Sequence, residues 1–276
     1  MNWVDFILNI AGLLLWLNWR ASKADPLGKR TPATLIGTLR SAAPQKIRRW
    51  DVPVVLAALI FLRAVLYWLI GPGLGWSTGI LNLGVTAPSF RSNRFVHMLL
   101  FSLLSFVLAL GIFYSCLLLF SLLKGPKPVH EFVRLQLGRI DGWPRGAKLL
   151  LPLVVTVLCW WLVSWLLVWL QIIPRPSPAW RIEESFIIAS QGYLLWQFPI
   201  AAILALHLLN SYIYFGRHPV WKYVEATAQT LLRPLKGIYL RIGKIDFAPV
   251  AGIVLVFLIA RLAGWGVGVL YKRLSF

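Results

Sequence analysis

Charge is scarce in this chain of 276 residues: Asp, Glu, Lys and Arg make up 13% of it, and only 9 residues are acidic. Soluble domains carry about 25% charged and about 45–50% apolar residues, whereas 59% of this chain is hydrophobic and its mean hydropathy is +0.73. That imbalance excludes a soluble globular domain. It also excludes a disordered chain, which needs low hydrophobicity and high charge. Cysteine is nearly absent: Cys116 and Cys159 both sit inside apolar runs, so no disulfide or CxxC logic applies. The four histidines are His97, His130, His207 and His218, and no HExxH, GxGxxG or P-loop spacing accompanies them. With few carboxylates and no Ser-His-Asp grouping, paired acid–base work and nucleophilic catalysis have no residues to rest on. The expectation is a protein that is not an enzyme, with no catalytic residue, metal ligand or cofactor.

What is abundant is long apolar sequence. A helix crossing the hydrocarbon core needs about 20 mostly apolar residues, and six segments qualify: Trp3–Trp19, Val52–Ile70, Phe95–Leu123, Leu149–Ile173, Phe186–Phe215 and Phe247–Tyr271. The first has no basic residue ahead of it and is followed by Arg20 and Lys23, which suits an uncleaved helix with its N-terminus outside. Pro199 marks a kink site in the fifth, because proline cannot donate the helical hydrogen bond. Trp19, Trp50, Trp76, Trp143, Trp180 and Trp221 fall near segment ends, as in an interfacial aromatic belt. Trp160, Trp161, Trp165 and Trp169 crowd one helix instead, where packing is expected.

Lys and Arg number 28, giving a formal net charge of +19. No aromatic-interleaved basic module accompanies them, so nucleic acid is not expected as a partner. Their placement carries the meaning. Residues 20–51 hold eight, 124–148 hold six and 216–246 hold six, whereas the alternate connections 71–94 and 174–185 hold two each. By the positive-inside rule the three basic connections are cytoplasmic and both termini lie outside.

The basic connections resemble one another. Gly138-Arg139-Ile140-Asp141-Gly142-Trp143-Pro144 precedes the fourth segment, Gly243-Lys244-Ile245-Asp246-Phe247-Ala248-Pro249 the sixth, and Arg49-Trp50-Asp51-Val52-Pro53 the second. The chain therefore reads as three copies of one unit: a helix, a basic connection and a returning helix. The expected fold is an all-α membrane protein with six transmembrane helices in three repeated hairpins, residues 1–70, 95–173 and 186–276, with amphipathic cytoplasmic connecting helices. Asp51, Asp141 and Asp246 read as N-caps of the returning helices, since Asp accepts hydrogen bonds from the unpaired first amides. Proline within the first turn removes an amide that had no partner. An ion-binding role is the alternative for these carboxylates.

In the third connection Val220, Val224, Leu231, Leu235, Ile238 and Ile242 recur near helical spacing, with Arg233, Lys236, Arg241 and Lys244 at other positions. That pattern predicts an amphipathic helix, broken near Pro234, lying on the cytoplasmic membrane surface with its basic residues on anionic headgroups or a partner. Packing on neighbouring helices is the alternative. Among the polar residues inside the apolar segments, five are candidates for function: Arg63, Gln197, His207, Asn210 and Arg261. The two arginines are expected to snorkel outward. Gln197, His207 and Asn210 are expected to bond neighbouring helices, His207 and Asn210 from one face. An ion pathway is the alternative for all five. Gly264 and Gly268 form a small-xxx-small pair suited to close packing.

The run Leu231-Leu232-Arg233-Pro234-Leu235-Lys236, followed by Gly243-Lys244-Ile245-Asp246-Phe247-Ala248-Pro249 and an apolar helix, resembles the signature of YggT-family (YlmG-like) membrane proteins. The resemblance is good over residues 200–270 and partial over residues 10–70. The middle hairpin keeps the Gly-Arg-Ile-Asp element without the Arg-Pro one. Many members carry two such hairpins, so three is a departure. Family members are bacterial inner-membrane or plastid proteins linked to osmotic tolerance, envelope organisation and membrane-complex assembly, without an agreed enzymatic activity. The resemblance thus implies a non-enzymatic organiser or complex subunit of the bacterial inner membrane. Its expected partners are anionic lipid headgroups, with a protein partner or a second copy of the chain. A channel or transporter for a small ion or osmolyte is the alternative.

Overall fold

The computed structural model describes residues 3–24, 51–73, 78–84, 86–123, 127–174, 177–213, 219–237, 241–242 and 245–274. Apolar runs become helices here because a bilayer offers no water to backbone amides and carbonyls, which must pair within their own segment. In chain order these residues form helices α1 (Trp3–Ala24) and α2 (Asp51–Ile70), a ribbon of β1 (Thr78–Ile80) with β2 (Ser89–Arg91), and helices α3 (Phe95–Leu122) and α4 (Lys127–Leu137). A 3-10 turn (Gly138–Gly142) leads into α5 (Arg145–Trp169), α6 (Pro178–Leu194), α7 (Gln197–Tyr212) and α8 (Pro219–Leu231). A second 3-10 turn (Arg233–Gly237), a ribbon of β3 (Arg241–Ile242) with β4 (Ile245–Asp246), and α9 (Ala248–Leu274) complete the chain.

Among the described residues, five helical stretches are long and apolar enough to cross a membrane: Asp51–Ile70, Phe95–Leu122, Arg145–Trp169, Pro178–Tyr212 and Ala248–Arg273. The protein is thus a helical membrane protein. Helix α1 is not among the five, because Asp5, Asn9, Asn18 and Arg20 interrupt its apolar sequence.

The chain divides into two compact units, one of residues 1–82 and 87–111 and one of residues 83–86 and 112–276. In the first, α1 packs along α2. A Cβ at Gly12 would stand 2.7 Å from Phe106 Cε2, so glycine is what lets α1 come this close to α3. Helix α2 carries Asp51 in its first turn and Pro53 where no amide partner is needed. It stops at Gly71, whose amide bonds Tyr67 O at 3.1 Å and where a Cβ would stand only 2.2 Å from that oxygen. The β1–β2 ribbon, pairing Gly79 with Phe90, sets the fully buried Phe90 against Phe101 of α3.

In the second unit α5 packs against α6, and α9 packs against α6 and α7. The expected fifth segment is two helices rather than one kinked at Pro199. The break falls at Leu195–Trp196, because Pro199 cannot donate to Leu195 O, and that carbonyl instead accepts Phe198 N at 3.2 Å. Trp196 Nε1 donates to Ser115 Oγ at 2.7 Å, and the Tyr193 hydroxyl to Leu149 O, so the break is tied to α3 and α5.

The expected surface-lying helix of the third connection is corrected here. The sequence does break as expected, α8 ending at Leu231 and a 3-10 turn carrying Pro234. Its apolar stripe is covered by protein: Val224, Ala228 and Leu232 are buried with Ile203 and Leu204 of α7, and Leu235 and Ile253 pack on the same core. Only Val220 of the expected stripe is exposed among the described side chains, while Ile238 lies outside the described residues. A leucine stripe is satisfied as well by leucines as by lipid tails, and here neighbouring helices reach it first.

Candidate functional site

The most concentrated polar chemistry inside the apolar helices is built from three pairs at i, i+4 spacing, which places both members on one helix face. Helix α1 supplies Asp5 and Asn9, α2 supplies Arg63 and Tyr67, and α3 supplies Phe101 and Ser105. Arg63 sits twelve residues into α2, about 18 Å along its axis, and is 2% exposed. Its Nη2 lies 2.5 Å from Asp5 Oδ1 and donates to Ser105 Oγ at 2.9 Å, while Nη1 donates to Asn9 Oδ1 at 2.9 Å. Tyr67 donates its hydroxyl to the same Asp5 oxygen at 2.6 Å, and Asn9 Nδ2 donates to Ser105 Oγ at 3.0 Å. The guanidinium carbon lies 5.5 Å from the Phe101 ring centroid and 5.7 Å from that of Tyr67. Phe101 in turn is held by Phe90 of the ribbon, at 5.7 Å between ring centroids.

Arg63 therefore does not snorkel. The carboxylate, amide and hydroxyl that an outward-reaching head would seek in the interface are supplied by α1 and α3. One cation and one anion are buried together, which keeps the cluster neutral where an isolated charge costs several kcal/mol. Asp5, Asn9, Tyr67 and Ser105 are the residues that sequence reasoning missed. Their signal was the i, i+4 spacing of Asp5 with Asn9 in an otherwise apolar helix.

Of the other intramembrane candidates, Arg261 is exposed on α9. Gln197 opens α7 and is half-buried, as are His207 and Asn210 further along it; His207 Nδ1 is buried without a hydrogen-bond partner among the described residues. These residues do not join the Arg63 cluster. Gly264 approaches Leu194 Cδ1, at 3.3 Å from an added Cβ, whereas Gly268 faces open space.

The three aspartates take different positions. Asp51 lies in the first turn of α2, exposed. Asp141 is not an N-cap: the N-cap of α5 is Pro144, without a side-chain cap bond. Asp141 lies in the 3-10 turn, where Oδ1 accepts Ser121 Oγ at 2.5 Å and pairs with Lys148 Nζ at 3.4 Å, and Lys148 Nζ donates to Ser121 Oγ at 2.7 Å. The carboxylate pairs with the Lys148 ammonium, one turn into α5. Asp246 stands in β4, one residue before Phe247, whose carbonyl accepts the first α9 bond from Ala251. Its side chain lies outside the described residues.

Of the four basic candidates in the third connection, Arg233 is exposed on the second 3-10 turn, and Lys222, Glu225 and Gln229 are exposed on α8. Lys244 and the side chains of Lys236 and Arg241 lie outside the described residues. Among the described residues, no group of three His, Cys, Asp or Glu side chains could hold a metal ion. Compared with known proteins, the chain matches no family model, no curated protein and no solved structure.

Proposed function

We propose that the protein is a non-enzymatic, YggT-like organiser or complex subunit of a bacterial inner membrane, holding anionic lipid or a protein partner through its basic cytoplasmic connections. The observation that carries this reading is the placement of Lys and Arg: twenty of the 28 fall in three connections and only four in the two that alternate with them. Envelope or osmotic-stress homeostasis is the setting that the family resemblance suggests. Six spans in three hairpins follow from the six apolar segments and the repeated connections once α1 is counted as a span, and the charge count then sets both termini outside. The Arg63 cluster supports counting it. The polar residues that lower its hydropathy include Asp5 and Asn9, both bonded to Arg63 inside the protein. Arg63 is then part of a helix lock, with its Nη atoms committed, which favours an organiser over an ion pathway.

The polar side of α8 and the turn bearing Arg233 supply the contact surface, since the apolar side is already packed. The test is quadruple charge reversal, Arg233→Glu, Lys236→Glu, Arg241→Glu and Lys244→Glu, in protein extracted gently with its native lipids. Cross-linking and native mass spectrometry are expected to show anionic lipid or a reproducible partner held through these residues in the parent, and that lipid or partner lost from the variant. The same lipid and partner set on both proteins refutes the reading.

A further inference from the structure

The corner where α5 hands over to α6 holds a cleft of about 760 Å³, within the roughly 300–1,000 Å³ of small-molecule sites. Trp165 and Trp169 of α5 form one wall, Gln171, Ile172 and Pro174 of the connection another, and Arg181 of α6 closes it. The corner is built as a helix stop. Ile172 N bonds Leu167 O at 2.9 Å and Gln171 N bonds Val168 O at 3.0 Å, the paired closing bonds of a Schellman motif. The left-handed residue that this motif requires is ordinarily glycine, yet Gln171 occupies it at φ 57°. The chain thus accepts backbone strain at the one position that sets an amide side chain on the cleft wall.

The cleft has a cation without an anion. Arg181 Nε is buried and has no hydrogen-bond partner among the described residues. Neither neighbouring carboxylate pairs with it there; Glu184 accepts Trp160 Nε1 at 3.3 Å on the face toward α5. The walls are apolar and open: Trp165 is 64% and Trp169 72% exposed. An occupant must therefore bring an anionic group for Arg181, an acceptor for the Gln171 amide and an apolar body for the indoles. Guanidinium donors suit phosphate oxygens, and tryptophan is the side chain favoured where acyl chains meet headgroups.

The geometry points to one anionic phospholipid, phosphate on Arg181 and Gln171, acyl chains along Trp165 and Trp169. This site is at the end of α5 opposite the basic connections, in the outer leaflet under the orientation proposed above, and it uses none of their residues. The full-length protein in detergent micelles is titrated with phosphatidylglycerol and read by native mass spectrometry. One tightly bound lipid is expected, weakened at least tenfold by Arg181→Gln and by Trp169→Ala, and less by Arg181→Lys, which keeps the charge but not the planar fork. Far-UV circular dichroism and elution volume report the fold of each variant, and Arg181→Lys serves where Arg181→Gln does not fold. Charge reversal of the cytoplasmic residues should leave this one lipid in place, which separates the two proposals. Equal binding of phosphatidylcholine, unchanged binding by all three variants, or full displacement by millimolar inorganic phosphate would each overturn the proposal.

Discussion

Replacing Arg63 by methionine removes the cation from a cluster that is closed on every side. In the native protein Asp5 is 7% exposed and accepts from Arg63 at 2.5 Å and from Tyr67 at 2.6 Å. After the substitution the carboxylate keeps only the phenol, and breaking a buried pair by removing one partner costs about 3–5 kcal/mol. Asp5→Leu, which strands the guanidinium, is expected to cost the same. Single interhelical hydrogen bonds in membranes average about 0.6 kcal/mol and reach about 1.7; Asn9 and Ser105 each take part in two, so Asn9→Leu or Ser105→Ala should cost about 1–2 kcal/mol. The decisive variant is the double one. Arg63→Met with Asp5→Leu removes both charges, leaves Asn9 bonded to Ser105, and fills the space with apolar side chains of comparable length. The Tyr67 hydroxyl and Asn9 Oδ1 lose these partners, so the double variant's stability should lie about 1–3 kcal/mol below the parent, still above either single variant. Equilibrium unfolding by sodium dodecyl sulfate in mixed micelles, followed by circular dichroism, supplies the four corners of the cycle. Additive costs in the double variant refute the ion pair, and a native-like Arg63→Met refutes the burial.

Two further substitutions test the packing around the polar clusters. Gly12→Ala places a methyl 2.7 Å from the Cε2 of the buried Phe106 ring; it should destabilise by about 1–3 kcal/mol as an overpacking defect, with Phe106→Leu recovering most of the loss in the same detergent titration. No loss from Gly12→Ala would mean that α1 and α3 are not in close approach. Asp141→Ala releases Ser121 and Lys148, and hydrogen bonds to charged groups are worth about 1.5–3 kcal/mol. Local opening of the connection should then rise at least about tenfold, read as faster limited tryptic cleavage after Arg134 and Arg139, both exposed. An unchanged cleavage rate refutes the clip.

The helices were legible because apolar runs of spanning length have few alternatives in structure. What a stripe or a motif touches was less legible. The period of Val224, Leu231 and Leu235 announces an amphipathic element but not its cover, since lipid tails and the side chains of α7 are equally apolar. The string Gly-x-Ile-Asp occurs in two connections, yet Asp141 finds a lysine and a serine while Asp246 lies in a ribbon. Local sequence places an aspartate near a helix start; the partner that captures it comes from Ser121 and Lys148, which the repeat does not contain. Arg63 was visible as an intramembrane charge. Its partner Asp5 lies 58 residues away, and nothing in the spacing of a single helix links the two.

The two clusters share a construction that explains how so apolar a chain carries buried charge. Each joins one carboxylate to one cation and places a serine hydroxyl between helices: Asp5, Arg63 and Ser105 in one unit, Asp141, Lys148 and Ser121 in the other. Serine is short enough to sit between close-packed helices without adding a charge: Ser105 accepts from both Arg63 and Asn9, while Ser121 accepts from Lys148 and donates to Asp141. Neutral sets of this kind are retained where a purely apolar contact would leave register free, because helices sliding in lipid exchange one leucine contact for another at little cost. A helix with Asp5 and Asn9 at i, i+4 has one favourable rotation and one favourable height against Arg63. The polar residues that weaken α1 as a membrane span are therefore the ones that fix its place, and an arginine bound in this way serves position rather than passage.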